Sequence, residues 1–341
     1  IWLAYTHLRM DMVHVARDEI NVINHRQSHN EKELYLIYNI LAEIAVIDEN
    51  LNDILFNYEQ AAKNASSKSK QVSMYSKLVL IADKNFNKVK ASTYLLELAS
   101  IAPDKIRIDA RMKWIEYQRE LENYDGVISE IQRMLGLAEF SSEHMRLELE
   151  LGKVYKERGE MDLSKEIFNM MIEKYLNSKK DEIAEVYYQL GIMALMNDFN
   201  LDLSREYFES SKSTKLSSFY GRASKDFINK ISHYETLLDL YEESLNKDKK
   251  GNVFKEDIDI TKNEKNIDPG SRKMDFESKK LNQASNTSPG QPDSLLFIIG
   301  EMLLYDFNHL ELSLENLQLL IKKYPESKFA PQSLYVLSYY E

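Results

Sequence analysis

The sequence predicts an all-α fold, a solenoid of antiparallel helix hairpins stacked along the chain. Three observations predict it. Apolar residues recur at spacings of three and four through most of the length, the period of a helix with one buried face. Pairs of compact residues stand 12 or 13 positions apart across a turn: Ala4 and Ala16, Ala42 and Ile54, Val79 and Ala91, Ile115 and Val127, Gly152 and Ser164, Gly191 and Ser204, Gly300 and Ser313. From Ala4 to Gly191 the first members follow at intervals of 38, 37, 36, 37 and 39 residues. Self-similarity at such a period marks a helical solenoid, whose single units cannot bury their apolar faces alone.

The clearest unit is Leu151 to Met171. Leu151, Gly152 and Tyr155 share one face of a first helix, and Gly152 lets a neighbouring helix approach closely. Gly159 supplies a residue tolerant of positive φ where that helix should stop. Ser164, Phe168 and Met171 then share one face of a second helix, so two small residues meet at the crossing and Phe168 fills the space beside them.

In chain order, residues 1–24 hold the first hairpin, with Trp2, Leu3 and His7 on one helix and Val15, Ala16, Ile20 and Ile23 on the other. His25 and His29 follow in a polar connection. They lack the further ligands and the rigid helix a zinc site needs, and read as solvated side chains. Residues 34–62 and 74–102 are the next two hairpins, joined by a Ser- and Lys-rich turn without phosphate-loop glycines. Pro103 closes the third. Residues 106–135, 143–176 and 182–212 are the fourth, fifth and sixth. Asn197-Asp198-Phe199-Asn200 and Asp306-Phe307-Asn308 occupy like positions in the two hairpins with one extra residue, and read as turn formation and N-capping rather than a cation site. Residues 218–245 stay helical but depart from the hairpin pattern. From 246 to 293 the chain is rich in Lys, Asp, Asn and Ser without apolar periodicity, which predicts a disordered polar linker or insertion. Its start, Asn246 to Asp257, carries an echo of a calcium loop, with Lys250 at a ligand position and Asp257 in place of the bidentate Glu. A last hairpin and the start of another unit fill 294–341.

These residues resemble the tetratricopeptide repeat (TPR) family, in which large–x2–Leu–Gly/Ala–x2–Tyr is followed by Ala–x3–Phe–x2–Ala and then Pro. Tyr38, Leu41, Ala42, Ala45, Tyr58 and Ala61 fit, as do Tyr75, Leu78, Ala82, Ala91, Leu95, Leu98 and Pro103, and Leu296, Ile299, Gly300, Leu303, Ser313, Leu317, Leu320 and Pro325. Ile54 and Val127 depart from it where a small residue is usual, and Glu148 where a large apolar one is. The resemblance covers residues 1–245 and 294–341 and implies a right-handed superhelix. The stretch Tyr324-Pro-Glu-Ser-Lys-Phe-Ala-Pro-Gln-Ser-Leu-Tyr335, with periods longer than the usual one, is similar to BamD-like and YbgF-like TPR proteins of bacterial envelopes. That likeness implies a periplasmic scaffold, outer-membrane anchored through a lipid on an upstream cysteine. A cytoplasmic TPR adaptor or regulatory module is the alternative, and a purely structural spacer a third.

Composition bounds the function. A formal charge of -11 opposes nucleic acid and anionic membranes as partners. There are no cysteines, so this chain holds no disulfide, thiolate metal site or cysteine nucleophile. No apolar run approaches the roughly 20 residues that span a bilayer. The chain begins at Ile1 inside an expected helix and ends at Glu341 inside another, which reads as a fragment. Its seven histidines are scattered among the units, serines sit in turns or at helix crossings, and acids alternate with Lys along helices. The expectation is no enzyme, no cofactor and no metal.

A solenoid instead offers a surface lined by its first helices, which TPR proteins use to hold a partner peptide or helix. In this register the inward positions are Asn39, Glu43, Met112, Glu116, Arg119, Arg146, Lys153, Lys156, Tyr188 and Ile192. Tyr188 with Ile192 would anchor an apolar side chain, and Arg146, Lys153 and Lys156 would meet carboxylates. An ordinary solvated face is the other reading of each.

Overall fold

The computed structural model describes residues 1–25, 28–175, 177, 180–253 and 291–340. Sixteen α-helices span them, and no strand occurs among the described residues. Two compact units divide the chain, Ile1–Met171 and Ile172–Glu341. In the first, five hairpins follow one another: α1 (Trp2–Arg9) with α2 (Val13–Asn24), α3 (Glu31–Ile47) with α4 (Leu51–Lys63), α5 (Lys68–Lys84) with α6 (Lys88–Ile101), α7 (Asp104–Glu120) with α8 (Tyr124–Leu135), and α9 (His144–Glu157) with α10 (Met161–Lys174). The second unit holds α11 (Asp181–Met196) with α12 (Leu201–Thr214), the long α13 (Phe219–Val253), then α14 (Pro292–Glu301) with α15 (Leu310–Lys323), and α16 (Ala330–Tyr340). Within each unit, helices adjacent in sequence pack side by side, as the repeat pattern requires.

The core of the first unit is a row of apolar seams rather than a single centre. Ile20, Ile37 and Ile40 join the first hairpin to the second. Leu78, Ala91, Leu95 and Ala110 carry the seam from there toward α7. Ile115, Ile131, Phe140 and Leu147 continue it to α9. Each hairpin thus buries its apolar face against its neighbours, which is why the pattern repeats at all.

The turn inside each hairpin is built one way. Asp11, Glu49, Phe86, Glu122 and Gly159 take the left-handed conformation, at φ of 63°, 56°, 54°, 59° and 88°. Each donates its N–H three residues back, and the next residue donates five back: Met12 to His7, Asn50 to Ala45, Asn87 to Ala82, Asn123 to Gln118, Glu160 to Tyr155. This Schellman closure satisfies the carbonyls that the helix end leaves open. The residue after the left-handed one then starts the second helix, and Asn50 and Asn87 cap it by accepting the N–H of Asp53 and Lys90.

The two hairpins with the longer spacing close differently. There Phe199 and Asn308 are left-handed, at φ of 45° and 52°, and the N–H groups of Asn200 and His309 reach back six residues to Ala194 and Leu303. In the last hairpin the extra residue also shows as a π-helical stretch, Met302–Asp306. The capping expected here holds for Asn200, whose side chain accepts the Leu203 N–H at 3.0 Å. Asn308 instead supplies the left-handed residue, and Asp306 pairs with Lys230 on α13 at 2.6 Å.

At three crossings a serine on the second helix donates to a glycine carbonyl on the first: Ser164 to Gly152 at 2.8 Å, Ser204 to Gly191 at 2.9 Å, Ser313 to Gly300 at 2.7 Å. All six residues are buried. The missing glycine side chains make room for large partners. A Cβ at Gly152 would stand 2.3 Å from the Phe168 ring, one at Gly191 2.7 Å from Phe208, and one at Gly300 2.8 Å from Leu317. Where Ile115 and Val127 take the two crossing positions, the matching residue four further on is Ile131, not Phe. Volume is conserved across the contact.

Two expected boundaries shift. Helix α13 runs past Asn246 to Val253, through Lys247, Lys249 and Lys250, which favour a helix even after apolar periodicity fades. The last hairpin opens at Pro292, which suits a first helical position. Residues 254–290, most of the expected linker and the end of the calcium-loop echo, lie outside the described residues.

Two substitutions probe these turns and crossings. Glu122→Gly should raise the urea midpoint, relieving about 1 kcal/mol of left-handed strain, while Gly159→Ala should lower it by a similar amount; a fall on Glu122→Gly would mean the glutamate side chain itself holds the turn. Gly152→Ala should destabilise by about 1–3 kcal/mol through the Phe168 clash, and adding Phe168→Leu should recover part of that loss. Strict additivity of the two changes would show that the residues do not share the crossing.

Candidate protein-interaction face

The first helices of the first unit are tied to each other by side chains. Arg9 on α1 reaches Glu43 on α3 at 3.5 Å, and Lys77 on α5 reaches the same carboxylate at 4.0 Å. Tyr117 on α7 donates its hydroxyl to Asp83 on α5. Arg119 on α7 grips Glu150 and Glu157 on α9. Side chains therefore join each of five consecutive first helices to the next.

At the α1–α3 end the face is partly apolar. Leu8, Arg9, Glu43, Val46, Ile47 and Tyr58 line an open cleft of about 250 Å³. The Lys77 ammonium lies 4.8 Å from the Tyr58 ring centre, and the Arg9 guanidinium 5.0 Å from that of Tyr5. Burial, with the Glu43 charge adding to it, pushes the Tyr58 hydroxyl up to about 12.

At the α7–α9 end the charges are already matched. Burial works against the Arg119 charge, but the carboxylates of Glu150 and Glu157 outweigh it and hold its pKa above the ordinary arginine value. Lys153 also donates to Glu150, at 2.9 Å. Burial lowers the Lys156 pKa despite the nearby Glu157. The expected set of cations awaiting carboxylates is thus reduced: Lys153 is committed within its own helix, and only Arg146 stands exposed.

The remaining predicted positions divide in the same way. Glu43 is the centre of the Arg9–Lys77 contact, and Glu116 is exposed, 3.0 Å from Lys113 one turn before it. Asn39 is half-buried, with its side-chain oxygen shut from solvent and without a hydrogen bond. Met112 is a core residue at 3% exposure, packed beside Ile115 against α8, so it offers no surface. Ile192 is likewise in the core of the second unit. Tyr188 is half-buried among Phe208, Tyr220 and Phe227, at ring distances of 5.9, 5.4 and 6.1 Å. The apolar anchor expected from Tyr188 and Ile192 is covered by α13, whose departure from the hairpin pattern hid its packing from the register.

Arg9 and Lys77 were missed, although a signal for them exists. Arg9, Glu43 and Lys77 alternate in charge at intervals of 34 residues, and Asp83 and Tyr117 stand 34 apart as well. Among the described residues no group of three His, Cys, Asp or Glu side chains gathers to hold a metal, and no helix is long and apolar enough to cross a membrane.

No protein-family model matches the chain, and no curated protein matches it in sequence. Among solved structures it is similar to a tetratricopeptide repeat protein from Parabacteroides merdae, at 16% identity over 67% of this chain and 96% of that one, with a TM-score of 0.32. It is similar to the P58(IPK) TPR domain at 12% identity over 98% of this chain and 94% of that one, with a TM-score of 0.26. A third likeness, to Naa15/Naa10 bound to HypK-THB, has 11% identity over 99% of this chain and 53% of that chain, with a TM-score of 0.39. The helix packing above, and not these distant likenesses, defines the fold.

Removing Arg119 should show that this end of the face is structural. Arg119→Ala leaves Glu150 and Glu157 without their shared cation and should cost about 2–3 kcal/mol in denaturant unfolding. Lys153→Ala should cost under about 1 kcal/mol, because Arg119 still holds Glu150. Equal losses would contradict the assigned pairing.

Proposed function

We propose that this chain is a non-enzymatic scaffold that holds partner proteins or peptides on the face formed by its first helices. The observation that carries the reading is the set of side-chain contacts, Arg9 and Lys77 to Glu43, Tyr117 to Asp83 and Arg119 to Glu150, that joins each of five first helices from five hairpins to the next. A partner laid across these helices meets a preformed surface and orders few side chains on binding. The groups with shifted pKa support the same reading. In the first unit they are tyrosines, arginines and a lysine in contacts along or between helices, not a nucleophile beside a base.

The location we propose is the bacterial envelope. Its support is the Tyr324 to Tyr335 stretch and its similarity to BamD-like and YbgF-like proteins. That stretch forms a tight connection: Ser327 donates its hydroxyl to Asp293 at 2.7 Å, and Phe329 stacks on Phe297 at 4.7 Å.

In the native host, a photo-crosslinking residue placed at Glu43 or Glu116 should capture a defined polypeptide in the envelope fraction, while one at Lys90 on the second helix α6 should capture none. Capture from Lys90 alone would move the binding face elsewhere. Recovery of the crosslinked species from the cytosol would reject the envelope location.

A further inference from the structure

The cleft at the α1–α3 end of the first-helix face carries more positive charge than its own residues match. Arg9 enters from α1 and Lys77 from α5, and both meet one carboxylate, Glu43 on α3, at 3.5 and 4.0 Å. Among the described residues neither cation pairs with another carboxylate. The other acids at this end are engaged or sit in turns: Asp48 pairs with Arg17 at 2.6 Å, and Asp11 and Glu49 hold left-handed turn positions. The α7–α9 end has the opposite ratio, since Arg119 alone holds both Glu150 and Glu157.

Exposure points the same way. The Arg9 and Lys77 side chains are 60% and 39% exposed, against 21% for Glu43 between them, so an incoming group meets the cations first. Beside them, Leu8 and Tyr58 are buried, while Val46 and Ile47 on α3 stay 46% and 52% exposed. The cations are also held in place, Arg9 over the Tyr5 ring and Lys77 over the Tyr58 ring. Little further ordering is needed for them to receive an anion. The cleft is open, so a chain seated in it can run on past both sides, whereas a small molecule is held by enclosure.

We propose that this cleft takes an internal stretch of a partner polypeptide in which one large apolar side chain stands next to an Asp or Glu. The apolar side chain (Leu, Ile or Phe) covers Val46 and Ile47, and the carboxylate lies between Arg9 and Lys77. The inference rests on the first-helix face being the partner surface and names the chemistry that its α1–α3 end recognises. The incoming carboxylate competes with Glu43 for the same two cations, so Glu43 weakens the site for an acid.

The test follows the Leu8, Val46 and Ile47 methyl signals of the full chain by NMR, which reads weak binding. The probe is a ten-residue peptide of Gly and Ser with a central Leu–Asp pair, acetylated and amidated at its ends. It should shift the three signals saturably, and the Leu–Lys and Gly–Asp peptides should not. Arg9→Gln with Lys77→Gln should weaken the Leu–Asp peptide about fivefold, and Glu43→Gln should tighten it by a similar factor. Unchanged thermal melts verify the fold of each variant. Equal affinity for Leu–Asp and Leu–Asn peptides, or weaker binding to a folded Glu43→Gln chain, would overturn the proposal. So would tighter binding of a peptide ending in a free Leu carboxylate, which would make a chain terminus the occupant, or equal shifts from decanoate, which would make it a fatty acid. Failure of the Leu–Asp peptide while a crosslinker at Glu116 still captures a polypeptide would overturn this inference and leave the scaffold reading standing. Loss of capture at both Glu43 and Glu116 would remove that reading and the inference with it.

Discussion

The structure depends on how each hairpin crosses and closes. A chain of 12 or 13 residues must leave one helix, reverse and bring the second back within contact of the first. Only a left-handed residue at the helix end, followed at once by the start of the next helix, does this in three residues. At the crossing the side chains must be small on one helix if they are large beside it, as Gly152 and Phe168 are. Once that geometry recurs, the outer faces of every hairpin are alike, and stacking follows from burial of the same apolar seam each time. The charged contacts between repeats then fix the alignment of helices already packed.

Much of this was legible in the residues. Gly152, Ser164 and Phe168 announce the crossing, because a small residue paired with another at 12 positions has few uses outside a helical hairpin. The left-handed turns were legible only at Gly159. Glu49, Phe86 and Glu122 give no local signal, since a helix end enforced by packing overrides the usual preference for glycine. The extra residue at Asn197–Asn200 and Asp306–Asn308 was visible, but its structural expression, hydrogen bonds reaching back six residues, was not.

Several positions expected on the candidate face are buried or already paired. Counting positions along a helix turns Met112 and Ile192 inward but does not separate a groove from the core. The boundary between groove and core is set by neighbouring helices, and those two fall on the buried side. Charges misled for another reason: Lys153 looked available because its partner, Glu150, is one helical turn away and also serves Arg119 across the hairpin boundary. Contacts at an interval of 34, such as Arg9 to Glu43 to Lys77, carry more information than the composition of any single helix.

The most direct test of the account is zero-length carbodiimide coupling of lysines to carboxylates, read by mass spectrometry on the dilute chain. The packing described here predicts intramolecular links of Lys77 to Glu43, Lys88 to Glu120, Lys215 to Asp181 and Lys230 to Asp306. Links confined to residues three or four apart, or scattered between distant hairpins, would contradict side-by-side stacking of successive helix pairs.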